Sequence, residues 1–228
     1  MIFDPLYLLL TLPALAFSLW AQWKVKSTFT KYQRVGVSSR MSGAEAAAAV
    51  LRASGLPGLT VERHQGFLSD HYDPTTRTLR LSPDVYDGAS VSSVAVAAHE
   101  AGHALQHAAN YGPLTLRSKL VPIVQYGSAL WYLPFILGAF MNMTGLMWVG
   151  IALFSGVVLF QLVTLPTEFD ASKRARAVLV STGIVSSFEE EEGVGRVLNA
   201  AAMTYVAALV ASMMQLLYMI LRAQGSRD

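Results

Sequence analysis

A long uncharged stretch limits what this chain can fold into more than any other feature. Residues 120–167 contain no Asp, Glu, Lys or Arg, and residues 5–23 and 197–221 are also uncharged. A helix that crosses a bilayer needs about 20 mostly apolar residues, so the longest stretch has room for two helices with a turn near residues 142–145. Only 14% of the residues are charged, whereas soluble domains average about 25%. The sequence therefore predicts a mainly α-helical, multi-pass membrane protein with four transmembrane helices.

The charges around the first span predict its orientation. Asp4 precedes the apolar run and the basic residues follow it, which is the reverse of a cleaved signal peptide. We therefore expect an uncleaved helix. The residues after it are basic, with no acidic residue among them: Lys24, Lys26, Lys31, Arg34 and Arg40. The positive-inside rule places this side in the cytoplasm, so the N-terminus is expected outside and the protein in the cell (inner) membrane.

Helix and strand signals follow the basic segment. Ser42 and Glu45 have the spacing of a capping box, which predicts a helix over residues 44–54. Three later runs have the composition of strands and predict a small antiparallel β-sheet of two or three strands: residues 59–64, 67–72 and 77–81. A free edge of such a sheet suits an extended peptide.

The pentapeptide His99-Glu100-Ala101-Gly102-His103 is the strongest functional signal in the chain. Residues four apart lie on one face of a helix, so both imidazoles can reach a single Zn²⁺. Glu100 lies roughly 100° round the helix from His99, where it can reach a water on the metal as general base. Small residues between the histidines leave room for the metal and for close packing. Ser90, nine residues before the motif, is expected to cap the start of this helix.

A third ligand must come from elsewhere in the chain. The sequence has no cysteine, so a metal here depends on His and carboxylate side chains. If residues 24–119 are cytoplasmic, two spans bring the chain back to the same side at Glu168 and Asp170. These two residues are two apart, so only one can face the ion from a helix. We favour Glu168 as the ligand and expect Asp170 to cap the helix or to hold the outer nitrogen of a ligand.

Other polar residues are candidates for supporting the metal or touching the substrate. His107 lies about 12 Å along the helix from His99, so one ion cannot bind His99, His103 and His107 together. Tyr111, Arg117 and His71 are candidates for stabilising the oxyanion of the reaction. The acidic residues 189–192 are expected to complement the dipole of a helix start rather than to hold a second metal. The net charge of +2, without a basic patch interleaved with aromatic residues, argues against a nucleic-acid partner.

Four runs of this sequence resemble a known family, the bacterial YugP-like neutral membrane zinc metallopeptidases, which are distantly similar to the HtpX-type proteases. The resemblance covers nearly the whole chain and rests on Leu68-Ser-Asp-His-Tyr-Asp-Pro74, Ala97-Ala-His-Glu-Ala-Gly-His-Ala-Leu-Gln-His107, Pro113-Leu-Thr-Leu-Arg-Ser118 and Leu165-Pro-Thr-Glu-Phe-Asp-Ala-Ser172. It implies a gluzincin-like peptidase whose zincin-like α+β subdomain faces the cytoplasm, with His99, His103 and Glu168 as ligands. In the HtpX-type relatives an Asp stands four residues after the third ligand. Here that residue is Ser172.

These observations divide the chain into five predicted segments. They are transmembrane helix 1 (residues 1–23), a cytoplasmic metallopeptidase region with the sheet and the HExxH helix (24–119), a transmembrane hairpin of helices 2 and 3 (120–167), a cytoplasmic third-ligand helix and connector (168–196), and transmembrane helix 4 (197–222).

The predicted function is that of a membrane-embedded zinc endopeptidase. Zn²⁺ would activate a water that Glu100 deprotonates, and the substrate would be a membrane-associated or cytoplasm-facing polypeptide. Two alternatives stay open. A site-2-type intramembrane protease would need an Asp in a membrane segment, and residues 120–167 contain none. A non-catalytic, zinc-stabilised scaffold or adaptor would not need Glu100.

Overall fold

A computed structural model describes residues 4–225, so residues 1–3 of the predicted first segment lie outside the described residues. The elements in chain order are α1 (Pro5–Gln33), α2 (Gly43–Ala53), β1 (Thr60–Arg63), β2 (His71–Asp73), β3 (Thr78–Leu81), α3 (Pro83–Tyr86), α4 (Val91–Ala108), α5 (Gly112–Leu130), α6 (Tyr132–Phe140), α7 (Thr144–Ser181) and α8 (Phe188–Gln224).

Four stretches of helix are long and apolar enough to cross a membrane: Pro5–Gln33, Gly112–Phe140, Thr144–Ser181 and Phe188–Gln224. Their uncharged parts, residues 5–23, 120–167 and 197–221, suit the interior of a bilayer. With the small three-stranded sheet, they confirm the predicted fold class of a mainly helical, multi-pass membrane protein. The chain separates into two compact units.

The first unit contains the described residues up to Gln22, together with Pro113–Pro166 and those from Met203 on. Buried aromatic and aliphatic side chains from α6, α7 and α8 form its core, among them Phe135, Ile151 and Tyr218. Large apolar side chains also point outward, such as Leu9, Ile123 and Phe140, with 70%, 57% and 87% exposure. Such a surface suits contact with lipid tails.

The first half of the central hairpin is broken into α5 and α6, whereas the sequence predicted one helix. Pro134 lies in the first turn of α6, and it can neither donate a hydrogen bond to the Leu130 carbonyl nor avoid a clash with it. The turn to α7 falls at residues 141–143. Asn142 has a φ of 55° there, a left-handed conformation that Asn tolerates better than most residues.

The second unit comprises Trp23–Gly112 and Thr167–Ala202. Its core is formed by α2, α4, β3 and neighbouring helices, with Val50, Leu79 and Val94 fully buried. The predicted capping box is present: Ser42 Oγ accepts a hydrogen bond from Glu45 N, and the Glu45 carboxylate accepts one from Ser42 N.

The sheet has the strand order β1-β3-β2. Strand β2 is antiparallel to β3, as predicted, but β1 is parallel to β3, so the sheet is mixed rather than purely antiparallel. Strand β3 occupies the centre because it has the buried side chains Thr78, Leu79 and Leu81, whereas the side chains of β1 and β2 are half-buried or exposed. The chain therefore passes from β1 to the far side of β3 before β2 begins.

The acidic start of α8 contains one buried carboxylate. Glu190 is 6% exposed, and it accepts hydrogen bonds from Ser38 N and Oγ and from the amides of Ser186 and Ser187. This carboxylate ties the segment after α1 to the first turn of α8. The contacts agree with the predicted role of these acids at a helix start.

Candidate metal centre

Helix α4 carries the two histidines of the motif, of which His103 is buried and His99 half-buried. Ser90 begins the helix as predicted, because its Oγ accepts a hydrogen bond from Ser93 N at 3.2 Å. Small apolar residues fill the buried face, including Ala97, Ala98 and Ala101. They keep α4 in the core while His103 and Glu100 retain 8% exposure each. The motif therefore lies at the edge of the core with limited access to solvent.

The carboxylate of the candidate metal centre, Glu168, lies on helix α7. Glu168 is 1% exposed, and its Oε2 lies 3.1 Å from His99 Nε2 and 3.6 Å from His103 Nε2. Among residues 4–225 these three side chains form the one group able to hold a metal ion, with ligand atoms within 4.8 Å of one another. The structure therefore brings together the three residues that the sequence selected.

A close contact between helices sets this geometry. A Cβ added to Gly102 would lie 2.5 Å from the carbonyl oxygen of Ala171, which is closer than carbon and oxygen approach in proteins. Ala171 is fully buried and lies three residues after Glu168 on α7. The missing side chain of Gly102 thus lets α7 approach the face of α4 that carries the histidines.

The three groups fit a zinc ion. Zinc binds imidazole nitrogen and carboxylate oxygen at about 2.0–2.2 Å in tetrahedral geometry, which separates neighbouring ligand atoms by about 3.3–3.5 Å. The two separations from Glu168 Oε2, 3.1 and 3.6 Å, lie on either side of that range. Two imidazoles and one carboxylate are also a donor set typical of catalytic zinc.

Electrostatics keeps the carboxylate in its ligating form. Burial by itself would raise the pKa of Glu168, but hydrogen bonds and positive charge from His103 and His99 lower it well below its usual range. Burial would likewise lower the pKa of His103, but hydrogen bonding to the Glu168 carboxylate, which accepts, and the charges of Glu100 and Glu168 raise it. Both shifts favour an ionised Glu168, which is the form in which a carboxylate binds a metal ion.

Glu100 has a different environment from Glu168. Within residues 4–225 no hydrogen bond or ion pair engages its carboxylate, although the side chain is 8% exposed. A buried carboxylate without a structural partner is costly unless it serves the site. The Glu100 carboxylate is therefore available to exchange a proton.

The outer nitrogens of both histidines have partners. His99 Nδ1 lies 3.1 Å from Ser172 Oγ, at the position where HtpX-type relatives carry an Asp. His103 Nδ1 lies 3.0 Å from Gln106 Oε1. The sequence reasoning did not single out Gln106. A signal was present, since a lone amide three residues after the second histidine of the motif falls within a buried, mostly apolar helix.

The remaining candidates lie outside the metal group. Asp170 accepts hydrogen bonds from Gln106 Nε2 and Arg174 Nε, and Arg174 lies over the ring of Tyr111 at 5.5 Å. His107 Nδ1 is 2.9 Å from Tyr72 OH, which joins the end of α4 to β2.

The last two candidates from the sequence are His71 and Arg117. His71 lies in β2, where its Nδ1 is 2.9 Å from Ser69 O and its ring is against His64. Arg117 lies on α5, in the other compact unit. An oxyanion role for either residue stays a prediction.

Comparison with known proteins agrees with this donor set. Residues 7–224 match the family described as "Putative neutral zinc metallopeptidase". The "Putative membrane protease YugP" of Bacillus subtilis (strain 168) is 48% identical over 223 residues, which cover 98% of this chain and 99% of that protein. No solved structure matches the chain.

Proposed function

Because this chain belongs to the neutral zinc metallopeptidase family, we propose that it hydrolyses peptide bonds at a zinc centre held by His99, His103 and Glu168. The observation that carries the proposal is the meeting of three potential ligand side chains from two helices, with His103 and Glu168 buried and His99 half-buried. His99 and Glu168 are separated by 69 residues in sequence. A structural zinc site would need a fourth protein ligand. Within residues 4–225 no fourth His, Asp or Glu joins the group, which leaves a coordination position for a substrate or a water.

Glu100 is the general base and acid of the proposed reaction. A zinc ion held by His99, His103 and Glu168 would supply a Lewis acid for the substrate carbonyl and would lower the pKa of a water molecule toward about 7. The Glu100 carboxylate accepts a proton from the attacking water and passes it to the leaving amine. The scaffold alternative gives Glu100 no task, because the carboxylate supports neither the helix nor a neighbour.

The substrate is proposed to be an extended polypeptide that adds to the sheet. Strand β2 pairs with β3 on one side and is an edge strand on the other. It lies against α4, to which Tyr72 is joined through His107. An edge strand beside the metal helix can hold a peptide backbone by main-chain hydrogen bonds.

Metal content and proteolysis test the site together. We expect about one zinc per chain in detergent-purified wild type and in Glu100→Gln, and little in His99→Ala or Glu168→Ala. Cleavage of an unfolded polypeptide should fall by about 10²-fold or more in Glu100→Gln despite full zinc. Glu189→Gln, the same substitution at an exposed position of α8, is the matched control. Full zinc in Glu168→Ala would overturn the ligand assignment, and unchanged cleavage by Glu100→Gln would overturn the mechanism.

The active site is proposed to face the cytoplasm. The support is the basic segment from Lys24 to Arg40 and the later basic residues Lys173, Arg174 and Arg176. Because the chain has no cysteine, single cysteines can report its sidedness. In intact cells an impermeant maleimide should label Met143→Cys, in the turn before α7, and leave Arg52→Cys on α2 unlabelled. The reverse pattern would place the site outside.

A further inference from the structure

One buried amide links the two halves of the proposed metal centre. Gln106 is fully buried. Its Nε2 lies 2.8 Å from the Thr167 carbonyl oxygen and 2.8 Å from Asp170 Oδ2, and its Oε1 lies 3.0 Å from His103 Nδ1. Every polar atom of this side chain therefore faces a specific partner.

These partners leave a single orientation for the amide. The Thr167 carbonyl can only accept a hydrogen bond, and Asp170 accepts as well because it is ion-paired with Arg174 at 2.6 Å. Both oxygens need an N–H, and the NH₂ group of Gln106 has two. A flipped amide would set its oxygen against two oxygens inside the core, with no donor between them. Oε1 must therefore face His103.

An amide oxygen accepts and never donates, so His103 must be the donor in this contact. We propose that Gln106 fixes His103 in the tautomer that carries its proton on Nδ1, which leaves the Nε2 lone pair directed at the metal position. Asp170 and Arg174 act through Gln106 by keeping the amide in place. The inference rests on the proposed metal site and makes Gln106 a positioning residue for it.

The other histidine has no such constraint. His99 Nδ1 faces Ser172 Oγ at 3.1 Å, and a hydroxyl can donate or accept. Ser172 therefore does not set the tautomer of His99, whose Nε2 lies 3.1 Å from the Glu168 carboxylate, whereas Gln106 sets the tautomer of His103. The contact between Ser172 and His99 therefore supplies a control within the same site.

The test reads the tautomer directly in the full-length, metal-free protein in detergent micelles. The chain has 5 histidines, so their ring nitrogens can be assigned by ¹⁵N NMR with single histidine substitutions. Wild type should show His103 with the proton on Nδ1. Gln106→Leu removes the acceptor at similar volume and should give a mixture of tautomers. Zinc affinity, measured by competition with a chromogenic chelator, should then fall by about tenfold to a hundredfold.

A second variant separates positioning from stability. In Gln106→Glu a carboxylate oxygen can still accept from His103, while the other oxygen faces Thr167 and Asp170 without a hydrogen to donate. This variant should lose thermal stability and keep the Nδ1 tautomer. Ser172→Ala should leave the His103 signals unchanged.

Two results would overturn the inference. One is a wild-type His103 with its proton on Nε2, and the other is a Gln106→Leu protein whose His103 keeps the wild-type tautomer. Because the NMR measurement needs no metal, it is independent of the proposed function. Absence of zinc from wild type would refute the metal site and leave the tautomer result standing.

Discussion

Replacement of Gly102 by alanine should weaken zinc binding without touching a ligand. The new Cβ would lie 2.5 Å from the Ala171 carbonyl oxygen, and ordinary contact begins near 3.4 Å. Since the Cβ is fixed rigidly to the backbone of α4 and the oxygen belongs to the backbone of α7, relief requires the two helices to separate by about 0.9 Å locally. Glu168 lies one turn from Ala171 and moves with it. Metal sites hold their ligand distances within about 0.2 Å, so the shift exceeds what the site accommodates.

The expected result has two parts. Zinc affinity should fall by about tenfold or more, with proteolysis falling in parallel, because loss of about 1.4 kcal/mol of ligand interaction already gives a factor of ten. Thermal stability should also fall, since overpacking costs about 1–3 kcal/mol. In an unhindered helix the same change would stabilise by up to about 1 kcal/mol.

The assay is chelator competition for zinc, combined with thermal unfolding in detergent. Gly112→Ala is the matched control, because a Cβ on Gly112 at the start of α5 meets no atom within 4 Å. This variant should bind zinc as wild type does. If Gly102→Ala bound zinc with unchanged affinity and had a raised unfolding temperature, the contact would not set the ligand geometry and the reasoning would be refuted.

Three further outcomes test other contacts. Burial would raise the pKa of Glu190, but hydrogen bonds from Ser38 and from two backbone amides lower it to about 2. The ionised carboxylate therefore contributes at most about 3 kcal/mol to the free energy of unfolding above pH 4.5, and this contribution is lost as the pH falls toward 2. The unfolding temperature of wild type should consequently drop more than that of Glu190→Gln between pH 5 and 3. Tyr72→Phe removes the exposed bond to His107 and should keep full zinc in elemental analysis, with a stability loss below about 1 kcal/mol. Chelation of zinc should lower the unfolding temperature of wild type and leave Glu168→Ala unchanged, since only a protein that binds the ion is stabilised by it.

Features encoded within a few residues were predictable from the sequence. The capping box at Ser42 and the cap at Ser90 depend on neighbours along the chain, and both are present. The uncharged stretches predicted four helices suited to a membrane because a bilayer acts on composition and length. The spacing of His99 and His103 similarly places them on one helix face, where their rings lie 4.8 Å apart.

Features that depend on distant partners were not predictable in the same way. The parallel pairing of β1 with β3 joins Thr60 to Thr78, and the composition of a short run of residues does not specify which strand it pairs with or in which direction. Gln106 acquires its importance from Thr167 and Asp170, which follow 61 and 64 residues later. Glu168 was predicted as the third ligand because topology, rather than spacing, limited where a carboxylate could come from, and the structure places it beside His99 and His103.

The separation of the ligands along the chain also sets the order in which the centre is made. His99 and Glu168 are 69 residues apart, and ribosomes add about 5–20 residues each second, so roughly 3–14 s pass between their synthesis. During that interval the uncharged residues 120–167 must be synthesised. A nascent chain therefore contains His99, Glu100 and His103 before it contains Glu168, and the proposed centre can be completed only after residues 120–167 have been made.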